Sequence, residues 1–179
     1  MVERFLRDTE DARALSQKCR DYHDHKQWTA AEAAKLAARR QAAIVVNRIK
    51  PKVEGLLGLY ELRKTDPKAF PRTKKHEKSS AFVTDALRYV ADKNNFQMTR
   101  LEVAEDFFVE GYGGCFIGVK QKGQTMEVEQ THIHWDRIVY DPRSRNKDFS
   151  DATYKGILIW MDPHDVVDYW PEAKIEEMD

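Results

Sequence analysis

At Gly114 the spacing of apolar residues switches from roughly four to two, and nothing else in the chain constrains the fold as tightly. Upstream the pattern is helical. In TEDARALSQKCRDYHD, Ala12, Leu15, Cys19 and Tyr22 fall on one stripe. Thr29-Ala-Ala-Glu32 fits a capping box opening the Ala-rich run AAKLAARR; in such a box the hydroxyl and the carboxylate each take up the other residue's backbone amide. The best-patterned helix follows, with Ile49, Val53, Leu56, Leu57 and Tyr60 sharing a face. Asn47 is its expected N-cap, and Pro51 then lies in the first turn, where a missing amide is tolerated. TDPKAFPRT breaks the pattern with two prolines and reads as a connector. Helical spacing resumes through Phe82, Ala86, Tyr89 and Val90 and ends near Asn94-Asn95. Thr99-Arg-Leu-Glu102 matches a second capping box, predicting a helix with the face Leu101, Ala104, Phe108 and Tyr112, stopped by the glycines of EGYGG.

Downstream, CFIGVK and TMEVEQTHI alternate around QKGQ, which predicts a hairpin. RIVY reads as a short further strand and YKGILIWM as a longer one. Asp162 suits an N-cap and Pro163 the first helical position of a helix reading DVVDYW. Helices followed by antiparallel pairs, rather than alternating units, define an α+β class. The expected division is a helical region at 1–112, a small antiparallel sheet at 113–161 and a C-terminal helix at 162–179. The closing EAKIEEMD opens a helical turn and stops, so the chain reads as cut rather than finished.

Charge limits the function classes. Lys+Arg and Asp+Glu are both 30, a formal net charge of zero, which argues against a module built to coat DNA by neutralising phosphates. The two cysteines, Cys19 and Cys115, lie far apart in unrelated settings, so a reducing compartment is expected and a disulfide framework is not. MVERFLRDTEDAR lacks the apolar run of a signal peptide, and no stretch reaches the length of a membrane span. The expectation is a soluble protein of intracellular origin.

The most chemically suggestive stretch is THIHWDRIVYDPRSR. In a regular strand His132, His134 and Asp136 point to one side, with Asp141 close behind, and two imidazoles and a carboxylate at that spacing suit zinc or another divalent ion. A phosphodiesterase using these four residues is one function this allows. The competing reading is a strand whose Ile133 and Trp135 pack inward while His132 and His134 stay unligated. It is favoured because the next histidine is as far away as His164. His23 and His25 would fall on different faces of a helix, poor geometry for a shared ligand. No Gly-x-Ser-x-Gly pattern occurs, and Gly111, Gly113 and Gly114 precede a strand rather than the helix a phosphate loop needs. Residues 63–78, RKTDPKAFPRTKKHEK, hold seven Lys/Arg against two acids. Such a run is most often a solvated surface, but it allows a small DNA-binding domain or contact with an acidic neighbour. No catalytic, metal or cofactor residue is assigned.

Several segments together carry a resemblance. IVVNRIKPKVEGLLGL, TDPKAFPRT, TDALRYVADKNNF, VEGYGGCFIGV and above all WDRIVYDPRSRNKDFSDATYKGILIWMD resemble bacteriophage portal proteins, in the branch of short-tailed phages and related prophages. The resemblance covers roughly residues 10–175, and with 179 residues the chain corresponds to an N-terminal fragment of the family's sequence. It implies a structural, non-enzymatic subunit of a dodecameric ring at one capsid vertex in the virion, assembled in the host bacterial cytoplasm. Double-stranded DNA passes through the ring's channel, and terminase, capsid or scaffold proteins and tail adaptors dock on it. This region would form the outer wing, where helices pack beside a small β-rich element. His132 and His134 match no family binding site, and the resemblance implies no cofactor.

Overall fold

Among the described residues, six helices precede four strands. The computed structural model describes residues 2–63, 65–146, 148–162 and 166. The helices are α1 (Val2–Asp8), α2 (Glu10–His23), α3 (Ala30–Ala38), α4 (Lys50–Leu62), α5 (Glu77–Lys93) and α6 (Phe96–Glu110). The strands are β1 (Gly114–Lys122), β2 (Thr125–Ile133), β3 (Ile138–Tyr140) and β4 (Lys155–Ile157). The order is that of an α+β chain, as the change of period predicts.

Local chemistry sets several boundaries where the sequence places them. The capping box forms: Thr29 N donates to Glu32 Oε2 at 2.9 Å and Glu32 N donates to Thr29 Oγ1 at 3.3 Å. Asn47 Oδ1 accepts from Ile49 N at 2.9 Å and Lys50 N at 3.2 Å, so it closes the entry to α4 although the helix itself starts at Lys50. Gly111 stops α6 at φ 93°, a left-handed conformation costly for other residues. At Gly113 a Cβ would lie 2.5 Å from Val103 O, so glycine is what lets the chain turn back against α6 into β1.

Other expectations fail, each for a visible reason. α6 begins at Phe96 rather than at Thr99, because Asn95 adopts a left-handed conformation (φ 50°) that turns the chain directly out of α5. Thr99 is therefore a buried mid-helix residue and no cap. The expected single sheet is two separate hairpins. β1 and β2 pair along nine residues each, Gly114 opposite Ile133, while β3 and β4 pair through Ile138–Ile157, Val139–Gly156 and Tyr140–Lys155. YKGILIWM stays short as a strand, since Trp135–Arg137 is a 3₁₀ turn and leaves no ladder for residues after Leu158. Leu158 N still reaches Arg137 O at 2.8 Å, but Ile159 and Trp160 remain exposed. The helix expected from Asp162 onward lies, apart from that residue and Val166, outside the described residues.

Burial reverses the sequence pattern on α2. Leu15 and Cys19 of the apolar stripe are exposed, whereas Ser16 and His23 are buried. The buried apolar residues are few: Phe5, Val53, Ala104, Trp135 and Val139. Phe5, the most enclosed of these, meets Tyr140 edge-on with ring centroids 5.3 Å apart, and Tyr112 meets Trp135 (6.2 Å) and Tyr140 (6.5 Å) in the same manner. This aromatic knot joins α1, the end of α6 and β3. Among the described residues the eight buried polar ones outnumber the apolar ones, so polar contacts must carry much of the packing.

Candidate functional site

The helical turn of α6 sets the site. Within 101–110 it carries Glu102, Glu105, Asp106 and Glu110 and no base, and these acids recur at spacings of three and four, so they form one stripe. An acidic stripe with no base three or four residues away in its own helix must find a cation elsewhere or leave buried carboxylates unpaired. α2 supplies it. Arg20 Nη1 meets Glu105 Oε1 at 2.8 Å, Nη2 meets Asp106 Oδ1 at 2.9 Å and Glu110 Oε2 at 3.0 Å, and Nε bonds Glu110 Oε1. Ser16 Oγ adds a bond to the Glu110 carbonyl at 3.1 Å. The side chains of Asp106 and Glu110 are 5% and 0% exposed, that of Arg20 18%.

Burial pulls the Arg20 guanidinium down, but its bonds to Glu110 and Glu105 outweigh that and raise it above its ordinary value. The Glu110 carboxyl moves up as well: burial exceeds the pull of Arg20, and Asp106 adds like-charge repulsion. Two directions favouring opposite states of one pair mean that Arg20 stays cationic while Glu110 bears the cost of enclosure.

β2 brings His132 onto the same stripe. Its Nε2 donates to Asp106 Oδ2 at 2.8 Å, and its Nδ1 lies 3.9 Å from Glu102 Oε2. Asp106 thus accepts from Arg20 through one oxygen and from His132 through the other. His134 lies past the strand end, where its Nδ1 donates to Asp136 Oδ1 at 2.7 Å, both side chains being about half exposed. The strand stops at Ile133 and the 3₁₀ turn rotates the residues beyond it, so the alternation that would align His132, His134 and Asp136 does not persist. The imidazole centroids are 6.3 Å apart, but each ring has its own carboxylate. Among the described residues no set of three His, Cys, Asp or Glu side chains is arranged to hold a metal ion. Trp135 is buried, and Ile133 is half-buried. His132, His134, Asp136 and Arg137 line one open groove of about 590 Å³, walled on the far side by Ile157, Leu158 and Ile159.

Asp141 lies outside that groove and organises a loop. Its carboxylate accepts from Arg143 N at 3.0 Å and Thr153 N at 3.1 Å, and these amides hold it below its usual range. Asp151 does the same one turn on, accepting from Ser144 Oγ at 2.6 Å, Arg145 N at 2.8 Å and Asn146 N at 3.3 Å. Asp148 accepts from Ser150 N at 3.1 Å. The DPRSR…DFSDA stretch is a loop bound to itself by aspartates.

The remaining candidates scatter. His23 is buried and bonds Asp24 (2.9 Å), while His25 sits at φ 68° beside Asn47. Cys19 is exposed, Cys115 is half-buried with its thiol pushed up by burial, and both are free. The basic run 63–78 spans the connector, a 3₁₀ turn at Lys74–His76 and the start of α5; Lys68, Arg72, Lys74, Lys75 and Lys78 are exposed. The Arg20 cluster escapes sequence reasoning. Its one available signal is the base-free acidic stripe of α6.

A search of curated proteins found no match. A scan of family models matches residues 2–179 to the family described as Phage P22-like portal protein. That span includes the helical half, both hairpins and the aspartate loop, and the chain therefore belongs to the phage P22-like portal protein family.

Proposed function

We propose that this chain forms the outer, wing-like part of a portal ring, a closed assembly of twelve subunits at one capsid vertex of the virion. Its channel passes double-stranded DNA, and terminase, scaffold and tail adaptor proteins dock on it. The observation that carries the reading is the family match over residues 2–179. Two features of the molecule support it. Large apolar side chains such as Leu62, Phe70, Phe82 and Trp160 are each more than 75% exposed, which suits a subunit that packs against neighbours. The charges balance at 30 of each sign, which suits repeated polar contacts between identical neighbours in a head-to-tail ring. No helix among the described residues is long and apolar enough to cross a membrane.

The division into a helical region at 1–112, a β region at 113–161 and a helix at 162–179 is part of this proposal, as is a purely structural role without catalytic or cofactor residues. The test is electron microscopy of the protein under assembly conditions. Rings with a central channel are expected; uniformly monomeric particles would sink the reading.

A further inference from the structure

Arg100, in α6 itself, is a half-buried guanidinium that none of the stripe's acids takes up. Its Nε and Nη2 atoms are closed to solvent and have no hydrogen-bond partner, and no carboxylate among the described residues pairs with it. Its plane lies over Tyr60, with Cζ 4.6 Å from the ring centroid. That stacking compensates the face of the cation but not its N–H groups, which point outward in the plane. Nε and Nη2 form the side-on fork of an arginine, two parallel donors matched to the two oxygens of a carboxylate.

The surroundings extend the match. Gln97, three residues earlier and so on the same helical face, leaves its Nε2 buried and unpartnered. Gln130 on β2 leaves its Oε1 in the same state, and turning its amide over presents a further donor. Gln97, Arg100 and Gln130 line a single pocket of about 570 Å³ between α5, the start of α6 and residues 65–67. The pocket wall also carries Arg88, Asp66 and Asp92. The two aspartates would repel a doubly charged phosphate more strongly than a singly charged carboxylate.

We propose that the pocket at Gln97, Arg100 and Gln130 is a socket for a carboxylate, supplied by an Asp or Glu side chain of a second copy of the chain. The acidic side chain enters between α5 and residues 65–67, the Arg100 fork rotates on the Tyr60 face to take both oxygens, and Gln97 adds the third donor. The choice of a second copy rests on the ring reading above; the chemistry of the socket does not.

The Arg100 Nε–H resonance of the ¹⁵N-labelled 179-residue chain reports on the fork directly. One arm raises chain concentration, the other titrates sodium acetate into dilute chain. A downfield shift with slowed exchange is expected as concentration rises, and Arg100→Met should weaken self-association in sedimentation at least tenfold, with Arg100→Lys only partly restoring it. Gln97→Glu places a carboxylate beside the fork; it should raise the melting temperature and abolish the concentration response, which guards against a variant that merely misfolds. A response to acetate alone overturns the neighbour as source, as do rings that assemble equally well in Arg100→Met, and neither touches the ring reading. If wild-type protein forms no rings but the acetate response persists, the ring reading fails and the carboxylate chemistry stands. No response in either arm, or a resonance that moves on Asp66→Asn or Asp92→Asn because the pocket's own acid holds the fork, overturns the socket.

Discussion

The seam between α2 and α6 and the loop between β3 and β4 are both organised by carboxylates, yet they are built in opposite ways. In the seam, Glu105, Asp106 and Glu110 converge on an arginine 85 to 90 residues away, Asp106 and Glu110 inside the protein and Glu105 at its edge. In the loop, buried Asp141 and exposed Asp148 and Asp151 bond backbone amides two to twelve residues away. The seam depends on charge meeting charge, so losing one partner strands the others in a medium that solvates them poorly. The loop depends on hydrogen-bond direction, so losing one acceptor exposes amides that water can reach. A long-range device is costly to break and hard to foresee; a local one is cheap to break and can be read from spacing.

Breaking the seam gives the largest expected effect. Arg20→Ala leaves Asp106 and Glu110 enclosed without a cation and should cost about 3–5 kcal/mol in urea unfolding. A loss below about 1 kcal/mol would mean that the carboxylates protonate or reach water instead, and that seam and loop do not differ in kind.

Acid separates the two next. The loop aspartates sit below the ordinary Asp value of 3.8, chiefly because backbone amides bond them. A lowered value contributes stability that is present above 3.8 and lost as pH falls through the folded-state values. Glu110 runs the other way: raised from 4.5 by burial, its contribution is full below 4.5 and lost as pH rises through its folded-state value. Hydrogen exchange followed downward from pH 5 should therefore show residues 141–154 opening before Glu110 and its helix. Simultaneous opening would contradict this.

Asp141→Ala removes the acceptor for Arg143 N and Thr153 N. Faster exchange confined to the loop is expected, with a smaller fall in melting temperature than for Arg20→Ala. The smallest effect should come from Thr29→Ala, which removes a local cap far from both regions at a cost of about 1 kcal/mol. Circular dichroism should show fraying of α3 only; a global loss comparable to that of Arg20→Ala would mean that the Ala-rich helix is not the surface element its exposure indicates.

Legibility in the sequence divides along the same line. The capping box at Thr29, the Asn47 entry, the Gly111 stop and the β1–β2 hairpin are fixed by neighbours in sequence, and spacing finds them. The buried face of α2 is misread because hydrophobic periodicity assumes that the inward face is apolar, whereas here Ser16 and Arg20 face inward to meet α6. The capping box at Thr99 is misread because a left-handed Asn95 starts the helix three residues earlier, a backbone choice that no side-chain pattern announces. Of the suggested metal cluster, His132, His134 and Asp136 line one groove while Asp141 lies outside it, and the turn at Trp135–Arg137 and the acids of α6 divide the rest. Phe5 escapes notice because one aromatic in a short charged helix has no period at all.

Asn94 closes α5 and pairs with β2 in one step. Its Nδ2 reaches the carbonyls of Val90 (2.8 Å) and Val128 (2.9 Å), while its Oδ1 accepts from Gln130 N at 3.2 Å. Lys93 bonds Glu127 (2.9 Å) beside it, and midway along α5 Thr84 Oγ1 accepts from Ala69 N at 3.0 Å. The hairpin, the helix and the basic connector are thereby joined in series, like links that transmit a pull. A displacement of the hairpin would thus be felt by α5 through Asn94 and by the connector through Thr84. Asn94 ties the end of α5 to two positions of β2 at once, so the helix and the hairpin move together.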